Sequence, residues 1–141
     1  MRMGSHGRRA LALAPAVVCA AAGCGGGASR TGRTVTFDTS GVFPTATIVG
    51  SYSVRACAAD AATLVREARL YYAHSTGAPG PADLYYYDLR FAYAHLQADA
   101  CTSKELGAAM EGGLTARQRT FLLHNVASNL YRAFRAALNA V

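Results

Sequence analysis

The hydrophobic rhythm of the chain changes three times, and each change predicts a different element. From Ala10 to Ala22 the side chains are continuously apolar or small. After a glycine-rich polar stretch, Thr34-Val35-Thr36-Phe37 alternates polar and apolar, and Thr45-Ala46-Thr47-Ile48-Val49 is rich in β-branched residues. With the turn residues Asp38-Thr39-Ser40-Gly41 between them, these runs predict an extended arm or short β-hairpin over 34–54, Pro44 confining its strand to an edge.

From about Val54 the apolar positions recur at spacings of three and four, the period of a helix. Cys57, Ala61, Leu64, Val65, Ala68, Tyr71 and Tyr72 mark one face over about 55–74, with Asp60, Arg66, Glu67 and Arg69 on the other side. The breakers Ser75-Thr76-Gly77-Ala78-Pro79-Gly80-Pro81 follow. A second helix over about 82–101 carries the stripe Leu84, Tyr87, Phe91, Ala94, Ala98 and Cys101. Thr102-Ser103-Lys104-Glu105 has capping-box spacing and opens a short helix over 103–111, stopped by Gly112-Gly113. The same spacing in Thr115-Ala116-Arg117-Gln118 opens the last helix, read as continuous over 115–139, with Leu122, Leu123, Val126, Ala127, Leu130, Phe134 and Leu138 as its apolar face. The expected fold is mainly α: a small helical bundle of three main helices plus one short helix, over 55–141, with the arm N-terminal to it.

If the first two helices fold back antiparallel, Cys57 and Cys101 meet. The register that pairs them is centred on Pro79, in the middle of a loop located independently from Gly and Pro. A disulfide is therefore expected, closing a loop of about 45 residues and stabilising the fold by roughly 4 kcal/mol in the chain-entropy model.

The first 23 residues read as an export signal: Arg2, Arg8 and Arg9, then the apolar run, then Ala20-Ala21-Ala22-Gly23 before Cys24. The run is about thirteen residues, short of the roughly twenty a helix needs to span a bilayer. Ala21-Ala22-Gly23-Cys24 resembles the lipobox of the bacterial lipoproteins, Leu-Ala-Gly-Cys, at its small positions and its cysteine, with Ala21 where Leu or Val is usual. The resemblance implies a diacylglyceryl group on Cys24, residue one of the mature chain, and a membrane partner through that lipid. Residues 24–33, Gly-rich with nothing to bury, would then be a flexible tether. Without lipidation the signal implies secretion.

Charge narrows the partners. The chain carries +6, and setting aside Arg2, Arg8 and Arg9 leaves 11 basic against 8 acidic residues, about +3. So mild an excess gives no reason to expect nucleic acid. Arg117, Arg132 and Arg135 fall on one side of a continuous C-terminal helix, with no acidic residue after Glu111, and would suit anionic head groups or a wall polymer. Tyr85, Tyr86 and Tyr93 ring the second helix, and not all can face one core, so they are a candidate contact surface for a sugar or another envelope protein.

Catalytic patterns such as GxSxG, HExxH, a Walker loop or CxxC do not occur. Asp60, Glu67, Asp88 and Asp99 sit where solvent-facing charges are expected. His74, His95 and His124 are on three different helices, and the hairpin register holds His74 and His95 roughly 16 Å apart along the axis, too far to share one ion. No metal or cofactor is expected. The expected function is that of an exported, lipid-anchored envelope protein with a non-enzymatic binding or scaffolding role. Two other readings remain: a helical protein binding haem, metal or an apolar ligand, and, third, a small enzyme. A binder requires a pocket of roughly 300 Å³ or more lined by a convergent His or Tyr.

Overall fold

The computed structural model describes residues 30–39, 41–75 and 83–141. The signal segment, Cys24, most of the tether, Ser40 and residues 76–82, which include most of the breaker loop, lie outside the described residues.

Among the described residues the fold is mainly helical, with a two-stranded hairpin ahead of five helices. Strands β1 (Thr34–Phe37) and β2 (Ala46–Val49) pair antiparallel, Thr34 opposite Val49 and Phe37 opposite Ala46. The alternation buries Phe37 and Ile48 on one face and leaves their neighbours in water, as a half-buried hairpin requires. An isolated hairpin is marginal in water, and this one is held by lying on a helix.

Helix α1 (Val54–His74) starts at Ser53, whose side chain accepts the backbone N–H of Ala56. Helix α2 (Leu84–Ala98) starts at Asp83, whose carboxylate accepts the N–H of Tyr86. Both are side-chain N-caps, satisfying backbone donors that no helical carbonyl reaches. Helix α3 (Ser103–Gly113) opens with the expected capping box of Thr102 and Glu105, and α4 (Ala116–His124) with that of Thr115 and Gln118.

Cys57 and Cys101 form a disulfide, with Cα atoms 5.5 Å apart. Helix α2 stops three residues short of Cys101 because Ala100 takes the left-handed conformation, φ 56°. The N–H of Ala100 then donates to Gln97 O and that of Cys101 to Leu96 O, a Schellman motif built on alanine where glycine is usual. That turn swings Cys101 back toward α1.

The single helix expected over 115–139 is two helices, α4 and α5 (Ser128–Asn139), broken at Asn125-Val126-Ala127. No Gly or Pro marks the break. Its backbone groups are taken instead by two tyrosines from other helices: the Tyr71 hydroxyl donates to Asn125 O at 2.6 Å, and the Tyr86 hydroxyl accepts the N–H of Ala127 at 2.9 Å. Asn125 Nδ2 also donates back to Phe121 O at 2.8 Å. Tertiary hydrogen bonds replace the helical bonds lost there.

Helix α1 packs on α2 and α3, α3 on α5, and α4 on α1 and α5. The main core gathers Leu64, Tyr71, Leu89, Met110, Leu122, Leu130 and Phe134, all fully buried. Each contributes roughly 1.5–3 kcal/mol relative to exposure. At Gly107 a Cβ would lie 2.0 Å from the carbonyl oxygen of Ala137, so the absence of a side chain sets the close approach of α3 to α5. A smaller core joins Phe37 and Ile48 of the hairpin to Ala94 and Ala98 of α2, with Tyr87 and Phe91 against it.

Of the apolar stripe read on α2, Tyr87, Phe91, Ala94 and Ala98 therefore meet the hairpin, Cys101 is bonded to α1, and Leu84 is exposed. The main core receives Tyr86, Leu89, Ala92 and Leu96 from a neighbouring face. Among the described residues no helix is long and apolar enough to cross a membrane.

Candidate functional site

Four carboxylates expected to point into solvent do not all do so. Glu67 is 9% exposed, and Asp60 and Asp88 line a cleft of about 390 Å³ between α1 and α2. From α1 the cleft receives Asp60, Thr63, Arg66 and Glu67, and from α2 Asp88, Phe91, Ala92 and His95. Asp60 and Glu67 are seven residues apart, as are Asp88 and His95, so each pair lies two turns along one helix face. Antiparallel packing turns the two pairs toward each other. This i, i+7 spacing on both arms of the helical hairpin is the signal in the sequence that could have located the cleft.

The electrostatics of the cleft are those of crowded, partly dehydrated carboxylates. Burial, a hydrogen bond to Asp99 and the Asp99 charge, in that order, push the Asp60 carboxyl up to about 7 from its ordinary 3.8. Asp60 Oδ2 is buried and has no partner unless it carries a proton to share with Asp99. Asp99 in turn accepts the N–H of Ser51 at 2.8 Å, which holds it as the acceptor of the pair. Burial, and then the charge of Glu67, also raise Asp88. Glu67 is itself held by Arg66, whose guanidinium donates to Oε1 from Nε at 3.1 Å and from NH2 at 2.9 Å.

The arrangement favours a cation. Burial and neighbouring carboxylates disfavour the charged forms of Asp60 and Asp88, the Arg66 guanidinium being taken up by Glu67, and a ligand bringing positive charge would relieve that penalty. The ring of Phe91 lies on the wall, with His95 edge-on to it at 4.9 Å. Among the described residues the set of three metal-type donors within 4.8 Å of one another is Cys57, Cys101 and Glu105, whose cysteines are spent in the disulfide. The cleft's own donors are thus spread along two helix turns, which suits an extended organic cation better than a single ion.

The other candidate residues are scattered. His74 stacks on Tyr85 with ring centroids 4.4 Å apart and planes within 6°, as the register centred on Pro79 requires. His124 Nδ1 lies 2.8 Å from Thr120 O on α4. The three histidines thus have separate surroundings.

Tyr86, read as part of a contact surface, is a core residue, 8% exposed, packed on Tyr71 and hydrogen-bonded to Ala127. Tyr93 is half-buried against Phe134, and burial raises its hydroxyl pKa. Tyr85 is half-buried beside His74. Burial likewise raises Tyr71 to about 12.

The arginine face was read on one continuous helix, and the break places its members on two. Arg132 and Arg135 share an exposed face of α5, while Arg117 lies on α4, beside a shallow hollow with Tyr72 and Phe121. Cys24 lies outside the described residues. Comparison with known proteins finds no matching family model, no similar curated protein and no similar solved structure.

Proposed function

We propose that the chain is an exported, lipid-anchored, non-enzymatic binding protein of the cell envelope, and that the cleft between α1 and α2 is where it binds a small organic cation. The export reading rests on the basic start, the apolar run and the lipobox-like Ala21-Ala22-Gly23-Cys24. The binding reading rests chiefly on one observation, a 390 Å³ cleft whose carboxyls Asp60 and Asp88 are both pushed toward the protonated state. It also satisfies the size and His-lining that a binder requires, through His95.

In this reading a ligand carrying two or more ammonium groups spans the two helix turns. One ammonium meets Asp88 and Glu67, and the other meets Asp60, whose proton leaves as the charge arrives. Phe91 supplies a π face to the methylene chain or to the cation itself.

Titration calorimetry with spermidine and putrescine, beside a neutral diol and a dicarboxylate, tests it. Only the amines should bind at low salt. Because Asp60 loses a proton on binding, the heat near pH 7 should vary with the ionisation enthalpy of the buffer. Asp88→Asn with Glu67→Gln should weaken binding by tenfold or more. Absence of amine binding, or unchanged affinity in that double variant, would sink the cleft as the site. Intact mass of membrane-extracted protein tests the anchor separately, through the acyl mass on Cys24.

A further inference from the structure

Residues 30–33, 49–55 and 98–105 converge at one end of the bundle. The N–H of Arg33 donates to Ala98 O at 2.7 Å, and Arg33 O accepts the N–H of Gly50 at 3.0 Å. At Gly50 a Cβ would lie 1.8 Å from Ala98 O, so the hairpin end and the end of α2 touch backbone to backbone. Arg30 lies 3.6 Å from Glu105 at the start of α3 and 5.1 Å over the ring of Tyr52. The first turn of α1 and the Cys57–Cys101 disulfide complete this end.

Three features of this end are unlike a solvated cap. Val49 and Val54 are 78% and 72% exposed, the highest among the exposed large hydrophobics of the described residues. Arg33, Arg55 and Lys104 are exposed there and form no ion pair among the described residues. The nearby acids are already engaged: Glu105 with the Thr102 cap and Arg30, Asp99 with Ser51 and Asp60. What faces outward is therefore positive, with two bare aliphatic side chains and a half-buried tyrosine among the charges.

The chain that leads to this end supplies the geometry. Cys24 precedes Arg30 by six residues, so a lipid on Cys24 can be at most about 20 Å from Arg30 along the chain. We infer that this end is a membrane-docking face, seating the domain on anionic phospholipid head groups with Val49 and Val54 at the interface. The inference rests on the lipid anchor proposed above. Positive charge complements the head groups, the aliphatics enter the boundary layer, and the short tether holds the two together. The cleft then runs along the side of the α1–α2 pair, its Asp60 end beside this face and its Glu67 and Asp88 end farther from it.

The chain contains no tryptophan, so one introduced indole reports position. Val54→Trp places it in the proposed face, and Leu84→Trp, also at an exposed site, places it at the opposite end of α2. Each acylated variant is mixed with phosphatidylglycerol vesicles carrying brominated acyl chains, and with phosphatidylcholine vesicles of the same kind. Emission of the Val54→Trp variant should shift to the blue and be quenched in the anionic vesicles, and that of the Leu84→Trp variant should not. The same measurement on the Cys24→Ser chain removes the anchor. There, Arg33→Gln, Arg55→Gln and Lys104→Gln together should lower partitioning into anionic vesicles by on the order of 100-fold, about fivefold per charge.

Equal quenching in the two variants, or none in an acylated Val54→Trp chain, overturns the docking face while the anchor stands. Quenching in a Val54→Trp chain that proves to carry no acyl group keeps the face and removes the anchor. No acyl group and no quenching removes both.

Discussion

The two buried faces of α2 are built differently. One carries Tyr86, Leu89, Ala92 and Leu96 into a core shared with the other four helices. The other carries Tyr87, Phe91, Ala94 and Ala98 against two short strands. On the first face large side chains interlock with residues from distant parts of the chain, so removing one leaves a cavity that little can fill. On the second, alanines let the strands come close, and the aromatic rings lie over Phe37, with centroids 5.3 Å from Tyr87 and 5.5 Å from Phe91. The difference teaches that one face specifies the bundle and the other docks an arm onto it. The carboxylate cleft lies beside α1, along the seam between them.

The largest expected effect tests the clamp at the end where both faces finish. Cys57→Ala with Cys101→Ala should cost about 4 kcal/mol, the chain entropy of a loop of about 45 residues, seen as a lower urea midpoint. A cost under about 1 kcal/mol would mean that the unfolded chain is already constrained and that packing alone sets the register.

Next, Leu89→Ala, on the shared core, should cost about 3 kcal/mol and lower the midpoint of the whole transition. Phe37→Ala, on the hairpin side, should cost about 2 kcal/mol, and its hydrogen-exchange protection should fall in the strands before the helices. If Phe37→Ala loosens α3 and α5 as much as Leu89→Ala does, the two faces are one cooperative core and the comparison fails.

The seam itself is read by pH. Asp60 sits at about 7 in the folded chain against an ordinary 3.8, so the folded state binds its proton more tightly than the unfolded state does. Its contribution is therefore fully present below pH about 4 and is lost as pH rises through about 7. Discounted for partial exposure, the loss is on the order of 1 kcal/mol between pH 5 and pH 8. Asp60→Asn, which stays neutral, should flatten that slope in urea titrations at the two pH values. An unchanged slope would place its origin elsewhere.

The smallest effect is a gain. Ala100→Gly relieves the left-handed residue that ends α2 and should raise stability by about 0.5–1 kcal/mol, with the disulfide intact. A loss instead would mean that the Ala100 methyl makes contacts worth more than the strain.

Legibility in the sequence followed how local each cause was. Helix starts at Thr102 and Thr115, the hairpin register from Cys57 to Cys101 and the alternation of the β-strands were readable, because each depends on residues a few positions apart or on one pairing rule. The break at Asn125-Val126-Ala127 was not, since the groups that satisfy it come from Tyr71 and Tyr86, 54 and 41 residues away. The same distance effect moved Tyr86 from an expected surface to the core and put Arg117 on a different helix from Arg132 and Arg135. The cleft was half-legible: the i, i+7 pairs of Asp60 with Glu67 and Asp88 with His95 stand in the sequence, but without a burial pattern they look like ordinary solvated charge.

By itself the sequence determined the helical class, the antiparallel pairing of the first two helices and the disulfide, consequences of periodicity, capping, turn chemistry and one pairing rule, and left the segment ahead of them as either an extended arm or a short hairpin. Only the tertiary structure decided which face of α2 meets the bundle and which meets the hairpin, where the last helix breaks, and that burial raises the carboxyls of Asp60 and Asp88. Each of these depends on what packs against a residue from far along the chain. Side-chain periodicity says that a face will be buried, but the partner that buries it sets its dielectric, its hydrogen bonds and its chemistry.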